Sequence, residues 1–112
     1  MNKTETIQLL GALAHETRLD IFRLLVPAGP TGVNAGTIAR ELNLAAATCS
    51  FHLKEMKTSQ AVHCERHGRE LIYSVNFPSM RDLVSYLTEN CCASDNSYGN
   101  DPCAWRAMGI ET

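Results

Sequence analysis

The sequence predicts one mainly α-helical domain that carries a single β-hairpin in its second half. Two observations predict this fold class. Apolar residues recur at helical spacing in four segments before residue 60 and in one segment after residue 78. Between residues 62 and 75 the pattern changes to two β-prone runs with a glycine between them. A chain of 112 residues has room for one such domain and a short tail.

The first two helices are predicted from their apolar spacing. The first spans residues 6–14, and the second is entered through His15. The apolar positions are Ile7, Leu10, Leu13 and Ala14 in the first helix and Leu19, Phe22, Leu25 and Val26 in the second. The second helix is expected to end near Pro27, because residues 28–32 are rich in glycine and proline, which build loops.

Two short helices joined by a tight turn are predicted next. Asn34 stands where an N-cap would, and Asn43 is expected to end the same helix because asparagine tolerates left-handed backbone geometry. Residues 45–59 form the following helix, with Cys49, Leu53 and Met56 on its apolar face. The opposite face carries small, polar or cationic residues apart from one aromatic ring: Ala46, Ala47, Ser50, Phe51, Lys54 and Lys57.

A β-hairpin and a last helix complete the predicted domain. Residues 62–66 and 70–75 are β-prone, and Gly68 supplies the turn of a hairpin with a basic tip. Pro78 opens the last helix, since the missing N–H of proline costs nothing in a first turn. Its apolar face is Met80, Leu83, Val84 and Leu87. We therefore expect a domain at residues 1–89 and a cysteine-containing tail at residues 90–112.

Composition narrows the class of protein. With 45% hydrophobic and 20% charged residues, the chain has globular proportions and is not expected to be disordered throughout. Residues 1–11 have neither the basic segment nor the apolar run of a signal peptide, and no stretch approaches the roughly 20 apolar residues that span a bilayer. We therefore expect a cytoplasmic protein without membrane contact, whose five cysteines are reduced.

The formal net charge of −2 hides an uneven distribution. Residues 34–77 carry five basic and four acidic groups, whereas residues 78–112 carry two basic and five acidic groups. The positive surplus coincides with the predicted pair of short helices and the hairpin. A helix pair of this kind fits its second helix into the major groove of DNA, where small side chains allow close approach to the bases.

The candidate DNA-contacting residues combine small, hydrogen-bonding and cationic side chains: Ala47, Thr48, Ser50, Phe51, His52, Lys54, Lys57, Arg66 and Arg69. Hydroxyl and imidazole groups can bond to base edges, and lysine and arginine can contact phosphates. Two alternatives stay open here. The cationic face could be an ordinary solvated surface, and His52 could pack against the edge of the core instead of touching DNA.

Three segments together resemble one known family. They are Ala14-His15-Glu16-Thr17-Arg18-Leu19, residues 48–56, and Arg66-His67-Gly68-Arg69 followed by Tyr73. In this order they resemble the ArsR/SmtB family of metalloregulatory winged-helix repressors, over about residues 5–88. The resemblance implies a winged helix-turn-helix fold with five helices and a hairpin wing before the last one. It also implies a homodimer joined through its first and last helices, which binds an inverted-repeat operator in double-stranded DNA.

Two departures from the family pattern stand at the ends of the recognition helix. Ala45, Ala46 and Ala47 replace the usual polar residues at its start, which removes the expected N-cap and some base contacts. Gln60 stands where a glycine commonly precedes the first wing strand. The departures leave the fold prediction intact but give no guide to the operator sequence.

The candidate sensor ligands are the cysteines of the tail. Residues 35–42 lack the family's Cys-x-Cys site, and the last helix has no histidine for the family's zinc site. Cys91, Cys92 and Cys103 are close enough in sequence for their thiolates to converge on one soft ion at modest entropic cost. Trivalent arsenic takes three sulfurs, whereas structural zinc prefers four ligands. The tail is similar to those of repressors that bind As(III), which implies As(III), or Sb(III), as inducer and no organic cofactor.

Other functions remain open at this point. The tail could form a disulfide and act as a redox switch, or it could bind Cd, Pb or Zn. A small thiol enzyme such as an arsenate reductase is disfavoured, because the chain has no Cys-x-x-Cys motif and no phosphate-binding loop. We therefore predict a repressor and not an enzyme. Cys49 and Cys64 are expected to be structural thiols, and Trp105 to pack the tail.

Overall fold

The computed structural model describes residues 1–90. The elements, in chain order, are α1 (Lys3–Leu13), α2 (Glu16–Leu25), a 3₁₀ turn (Val26–Thr31), β1 (Val33–Asn34), α3 (Ala35–Glu41), α4 (Ala46–Thr58), β2 (Val62–His67), β3 (Glu70–Val75) and α5 (Phe77–Leu87). This order confirms the winged helix-turn-helix fold. Within the described part of the chain, every helix is too short or too polar to cross a membrane.

The helix ends follow from local capping chemistry. The Asn34 side chain accepts a hydrogen bond from the backbone N–H of Thr37 at 2.8 Å, which confirms the predicted N-cap of α3. Asn43 follows α3 with a φ of 54°, as the tolerance of asparagine for this geometry predicts. α2 ends at Leu25, two residues before Pro27. These boundaries agree with the sequence because each depends on residues within one helical turn.

The β-sheet has one strand more than the sequence predicts. β2 and β3 pair as the expected antiparallel hairpin, with Gly68 at a φ of 65° in its turn. The short β1 pairs with the other edge of β3, Val33 opposite Tyr73, so the strand order is β1-β3-β2. A Cβ on Gly32 would lie 2.6 Å from the carbonyl oxygen of Tyr73, so this approach requires glycine. Two residues are too few to show a strand pattern.

The core lies between the helices and the inner face of the sheet. Its largest fully buried side chains are Leu9, Ile21, Leu25, Ile38, Leu53, Met56, Val62 and Cys49. α4 buries the face that the sequence predicts. The apolar faces predicted for α1, α2 and α5 are wrong in part. Several residues assigned to those faces are exposed: Ile7, Leu10, Leu19, Val26, Val84 and Leu87. α1 and α2 contain more apolar residues than one face of a helix can hold. Helical spacing alone therefore did not identify Leu9 and Ile21 as the buried residues.

Candidate nucleic-acid interface

The turn between α3 and α4 fixes which face of α4 points outward. The backbone N–H of Leu44 donates to the carbonyl of Ala39 at 2.8 Å, and Asn43 reverses the chain with its left-handed geometry. α4 then begins at Ala46, and its N-cap Ala45 makes no side-chain capping bond, as the alanines predict. Because the side with Leu53 is buried in the core, the opposite side of α4 faces solvent.

The outward face of α4 carries the predicted DNA-contacting residues, with one exception. Ala47, Thr48, Ser50, Phe51, Lys54 and Lys57 are all exposed. The Phe51 side chain is 57% exposed, which is unusual for a large aromatic residue on a helix packed against the core. The two lysines lie in the C-terminal half of the helix beside the exposed Glu55, and the other four residues lie in its N-terminal half. The face therefore divides into an uncharged half and a half with a small cationic surplus.

The wing extends the cationic surface. Arg66 and Arg69 are exposed at the tip of the β2–β3 hairpin, on either side of Gly68. The nearby His67 Nε2 lies 3.6 Å from a carboxylate oxygen of Glu65, but both side chains are mostly exposed, so this contact contributes little stability. The arginines can thus reach a phosphate backbone beside the groove that α4 would enter.

His52 is the exception among the predicted contacts. Its side chain is 8% exposed, and its Nδ1 accepts a hydrogen bond from Nε of Arg18 at 3.1 Å. Burial lowers the pKa of the His52 imidazole below its usual value, and the charge of Arg18 and the nearby His15 lower it further. The geometry favours the packing role of His52 and corrects the prediction of a base contact, because distant residues cover the ring.

Arg18 is a residue whose role the sequence did not reveal. It lies on α2, its Nε bonds to His52, and its guanidinium carbon lies 5.9 Å from the centroid of the Phe51 ring. It therefore joins α2 to the recognition helix. Arg18 belongs to the segment Ala14–Leu19 that carries part of the family resemblance, which was the only sequence signal for it.

Gln60 connects α4 to the wing in a strained conformation. Its φ is 73°, and the N–H of Ala61 donates to the carbonyl of Met56 at 2.8 Å, the bonding pattern of a Schellman helix end. Glycine is the usual residue there because side chains disfavour a positive φ. The Gln60 side chain accepts a bond from Nδ2 of Asn76 at 3.4 Å, so it contacts the start of α5.

Among the described residues, one cysteine lies in the core and one in the wing. Cys49 is 2% exposed in the core, and burial raises the pKa of its thiol. Cys64 is half-buried beside Tyr73, and burial together with a hydrogen bond to Cys64 raises the pKa of Tyr73 to about 12.

Metal binding by the tail is not tested by the structure. No cluster of three or more His, Cys, Asp or Glu side chains suited to a metal ion occurs among residues 1–90. The predicted ligands Cys91, Cys92 and Cys103, together with Trp105, lie outside the described residues. The ligand assignment therefore remains a prediction from sequence.

Comparison with known proteins agrees with this arrangement. Residues 13–65 match a family model described as a helix-turn-helix domain. The chain is 29% identical over 98 residues to a "Probable mercury resistance operon repressor" of Streptomyces lividans, covering 88% of this chain and 74% of that protein. It is 30% identical to the transcriptional repressor PagR of Bacillus anthracis, covering 75% of this chain and 93% of PagR with a TM-score of 0.62.

A second solved structure shares the fold. It is the solution structure of a homodimeric winged helix-turn-helix DNA-binding domain from Mycobacterium bovis, "a possible ArsR-family transcriptional regulator". It is 23% identical, covers 78% of this chain and 81% of its own, and superposes with a TM-score of 0.62. Regulators of this kind are not enzymes, in agreement with the sequence prediction. The chain belongs with the helix-turn-helix transcriptional regulators to which PagR is related, and it has their winged fold.

Proposed function

We propose that this protein is a homodimeric, DNA-binding repressor that is released from an inverted-repeat operator when As(III), or Sb(III), binds Cys91, Cys92 and Cys103. The observation that carries the proposal is the outward face of α4, which contributes nothing to the core and lies next to a basic wing. A helix face that contacts only solvent does not need small residues at its N-terminal end. Entry into a major groove needs them, because the helix must approach the bases closely.

The charges of α4 and the wing support binding to the phosphate backbone. Lys54, Lys57, Arg66 and Arg69 are exposed on α4 and the wing, where they can contact phosphates beside the groove that α4 enters. A dimer would present eight such groups to one DNA site, twice the four of one chain, although each chain has a net charge of −2. Five of the twelve acidic residues lie after residue 78, whereas α4 and the wing together carry three, which are Glu55, Glu65 and Glu70.

The exposed apolar side chains support a dimer. Ile7 and Leu10 on α1 and Val84 and Leu87 on α5 are exposed. A dimer joined through α1 and α5 would cover apolar side chains of this kind. The Mycobacterium bovis protein of the same fold is homodimeric, which agrees with a second copy of this chain as the partner. Two copies of α4 can then read two half-sites.

The inducer is proposed from the chemistry of the tail. Three thiolates within 13 residues form a soft donor set that suits a trigonal As(III) ion. The relative from Streptomyces lividans is named as a probable repressor of a mercury resistance operon. This name supports a thiophilic ion as the inducer and makes Hg(II) a second candidate. Because the tail continues directly from α5, an ion bound there can act on the dimer contact. Binding of the ion and of DNA would weaken each other equally, typically by about 1 to 3 kcal/mol.

The test is a release titration with a fluorescent duplex taken from the DNA upstream of the gene. The wild-type chain should bind this duplex and release it on addition of arsenite. Cys91→Ser, Cys92→Ser and Cys103→Ser should keep DNA affinity and lose release. Cys64→Ser is the matched control, because this thiol lies in the wing and should leave release unchanged. If all three tail variants still release DNA with arsenite, the ligand assignment is wrong.

The same titration separates the other inducers. Release by Hg(II) or Cd(II) alone would replace arsenic with that ion. Release by hydrogen peroxide with recovery in dithiothreitol, and no response to arsenite, would instead support a disulfide switch, in which two thiols are oxidised and peroxide is reduced to water. Failure to bind any duplex would contradict the repressor function as a whole.

A further inference from the structure

We propose that α4 reads its operator through the 5-methyl groups of thymine, which Ala47 and Phe51 contact in the major groove. This inference rests on the DNA-binding function proposed above and names the bases that the recognition helix selects. The operator half-site is accordingly expected to hold T·A pairs, and not G·C pairs, at the positions that the first half of α4 faces.

The first argument is which side chains the N-terminal half of α4 offers. In this class of fold the N-terminal residues of the recognition helix meet the base edges. The exposed residues there are Ala46, Ala47, Thr48, Ser50 and Phe51. Guanine is read by arginine or lysine, adenine by asparagine or glutamine, and cytosine by a carboxylate. None of these readers occurs between residues 46 and 53.

The second argument is the apolar contact that remains. Ala47 and Phe51 are four residues apart on one helix, so their side chains are neighbours on the same face. Alanine and phenylalanine are among the side chains that contact the thymine methyl group, the only apolar group on a base edge in the major groove. Phe51 is 57% exposed in the free protein, and contact with thymine would remove both apolar surfaces from water.

The third argument is that the Phe51 ring is already positioned. The Arg18 guanidinium lies 5.9 Å from its centroid, and the His52 ring contacts it edge-on with centroids 5.6 Å apart. Arg18 is itself held by its bond to Nδ1 of His52. The ring is thus supported from the protein side and free on the DNA side. A supported side chain loses less conformational entropy on binding.

Affinity and base selection then depend on different residues. Lys54 and Lys57 begin one turn after this apolar pair and are placed to contact phosphates, which carry no base identity. Thr48 and Ser50 can bond to either purine or pyrimidine edges. Selection among sequences is therefore left to Ala47 and Phe51, while the strength of binding depends on the cations.

The experiment begins with selection of bound duplexes from a random library by the full-length chain. Half-sites enriched in thymine are expected. Each thymine of the selected site is then replaced by uracil, which removes only the methyl group. At a contacted position the affinity should fall about fourfold, the equivalent of one buried methylene, and its salt dependence should not change.

Two variants identify the residue that reads the methyl group. At the position that Phe51 contacts, Phe51→Ala should bind the thymine and uracil duplexes equally, whereas Phe51→Leu keeps an apolar side chain and should retain most of the preference. Lys57→Ala is the control, because it should weaken binding to both duplexes by the same factor and make the salt dependence shallower.

The outcomes separate this inference from the repressor function. If the selected half-sites hold conserved guanines at their centre, and uracil at every position leaves the affinity unchanged, methyl reading is wrong while DNA binding stands. A preference for thymine that survives Phe51→Ala in full would also overturn the role of Phe51. If no sequence is enriched and no duplex binds, both proposals fail.

Discussion

The two faces of α4 differ in what they contribute to the protein. The inner face carries Cys49, Leu53 and Met56, all essentially excluded from solvent and packed among α1, α2, α3 and the sheet. The outer face carries small side chains, two lysines and an exposed phenylalanine. One helix therefore stabilises the fold with one side and is free to bind with the other. Substitutions on the two faces should separate stability from DNA affinity.

The largest effect is expected on the inner face. Leu53→Ala removes a side chain with no exposed surface, and the cavity left behind should cost about 2 to 5 kcal/mol of the free energy of unfolding. Urea denaturation followed by circular dichroism measures this loss. Below the denaturation midpoint, the folded fraction should still bind DNA with wild-type salt dependence. A loss of less than about 1 kcal/mol would show that the inner face is not the stabilising one.

The opposite pattern is expected on the outer face. The double variant Lys54→Ala, Lys57→Ala should change the free energy of unfolding by less than about 0.5 kcal/mol, because both side chains are exposed. The slope of log affinity against log salt should become shallower by about four, one for each phosphate contact that the dimer loses. Fluorescence anisotropy at several salt concentrations measures the slope. Lys3→Ala on α1 is the matched control, and an equal change in that variant would contradict the assigned interface.

A smaller change in stability is expected at Gln60, where α4 meets the wing. Gln60→Gly replaces a side chain at a φ of 73° by the residue that this geometry favours. The variant should be more stable by about 1 kcal/mol, since the strain removed exceeds the long 3.4 Å bond from Asn76 that is lost. Thermal and urea unfolding measure the gain. Destabilisation would mean that the bond to Asn76 outweighs the strain.

The smallest expected effect is a pH dependence of the stability, caused by His52 at the boundary between the two faces of α4. The folded pKa of His52 lies below the usual value of 6.5, so its contribution to stability is present in full above that pH and is lost as the pH falls through the folded value. Arg18 and His15 are the charged and titratable groups that face it. Urea unfolding at several pH values between 5 and 8 should show this loss, and His52→Gln should reduce it. An identical pH profile in the variant would exclude His52 as the cause.

Local chemistry made much of the DNA-binding half predictable. The N-cap at Asn34, the left-handed Asn43, the alternation of inner and outer residues on α4 and the turn at Gly68 each depend on neighbours within a few residues. The same signals located every exposed residue of the candidate interface. They could not reveal the pairing of Arg18 with His52, because those residues are 34 positions apart.

The sequence by itself determined the order of the five helices and the hairpin, the ends of the central helices and the side of α4 that faces the core. Only the tertiary structure decided that Leu9 and Ile21 are buried while Ile7 and Leu19 are not, that β1 adds to the sheet, and that His52 is covered. Capping, turns and helical period are properties of adjacent residues. Burial depends instead on which distant element packs there, and several apolar positions on one helix satisfy the same period equally well.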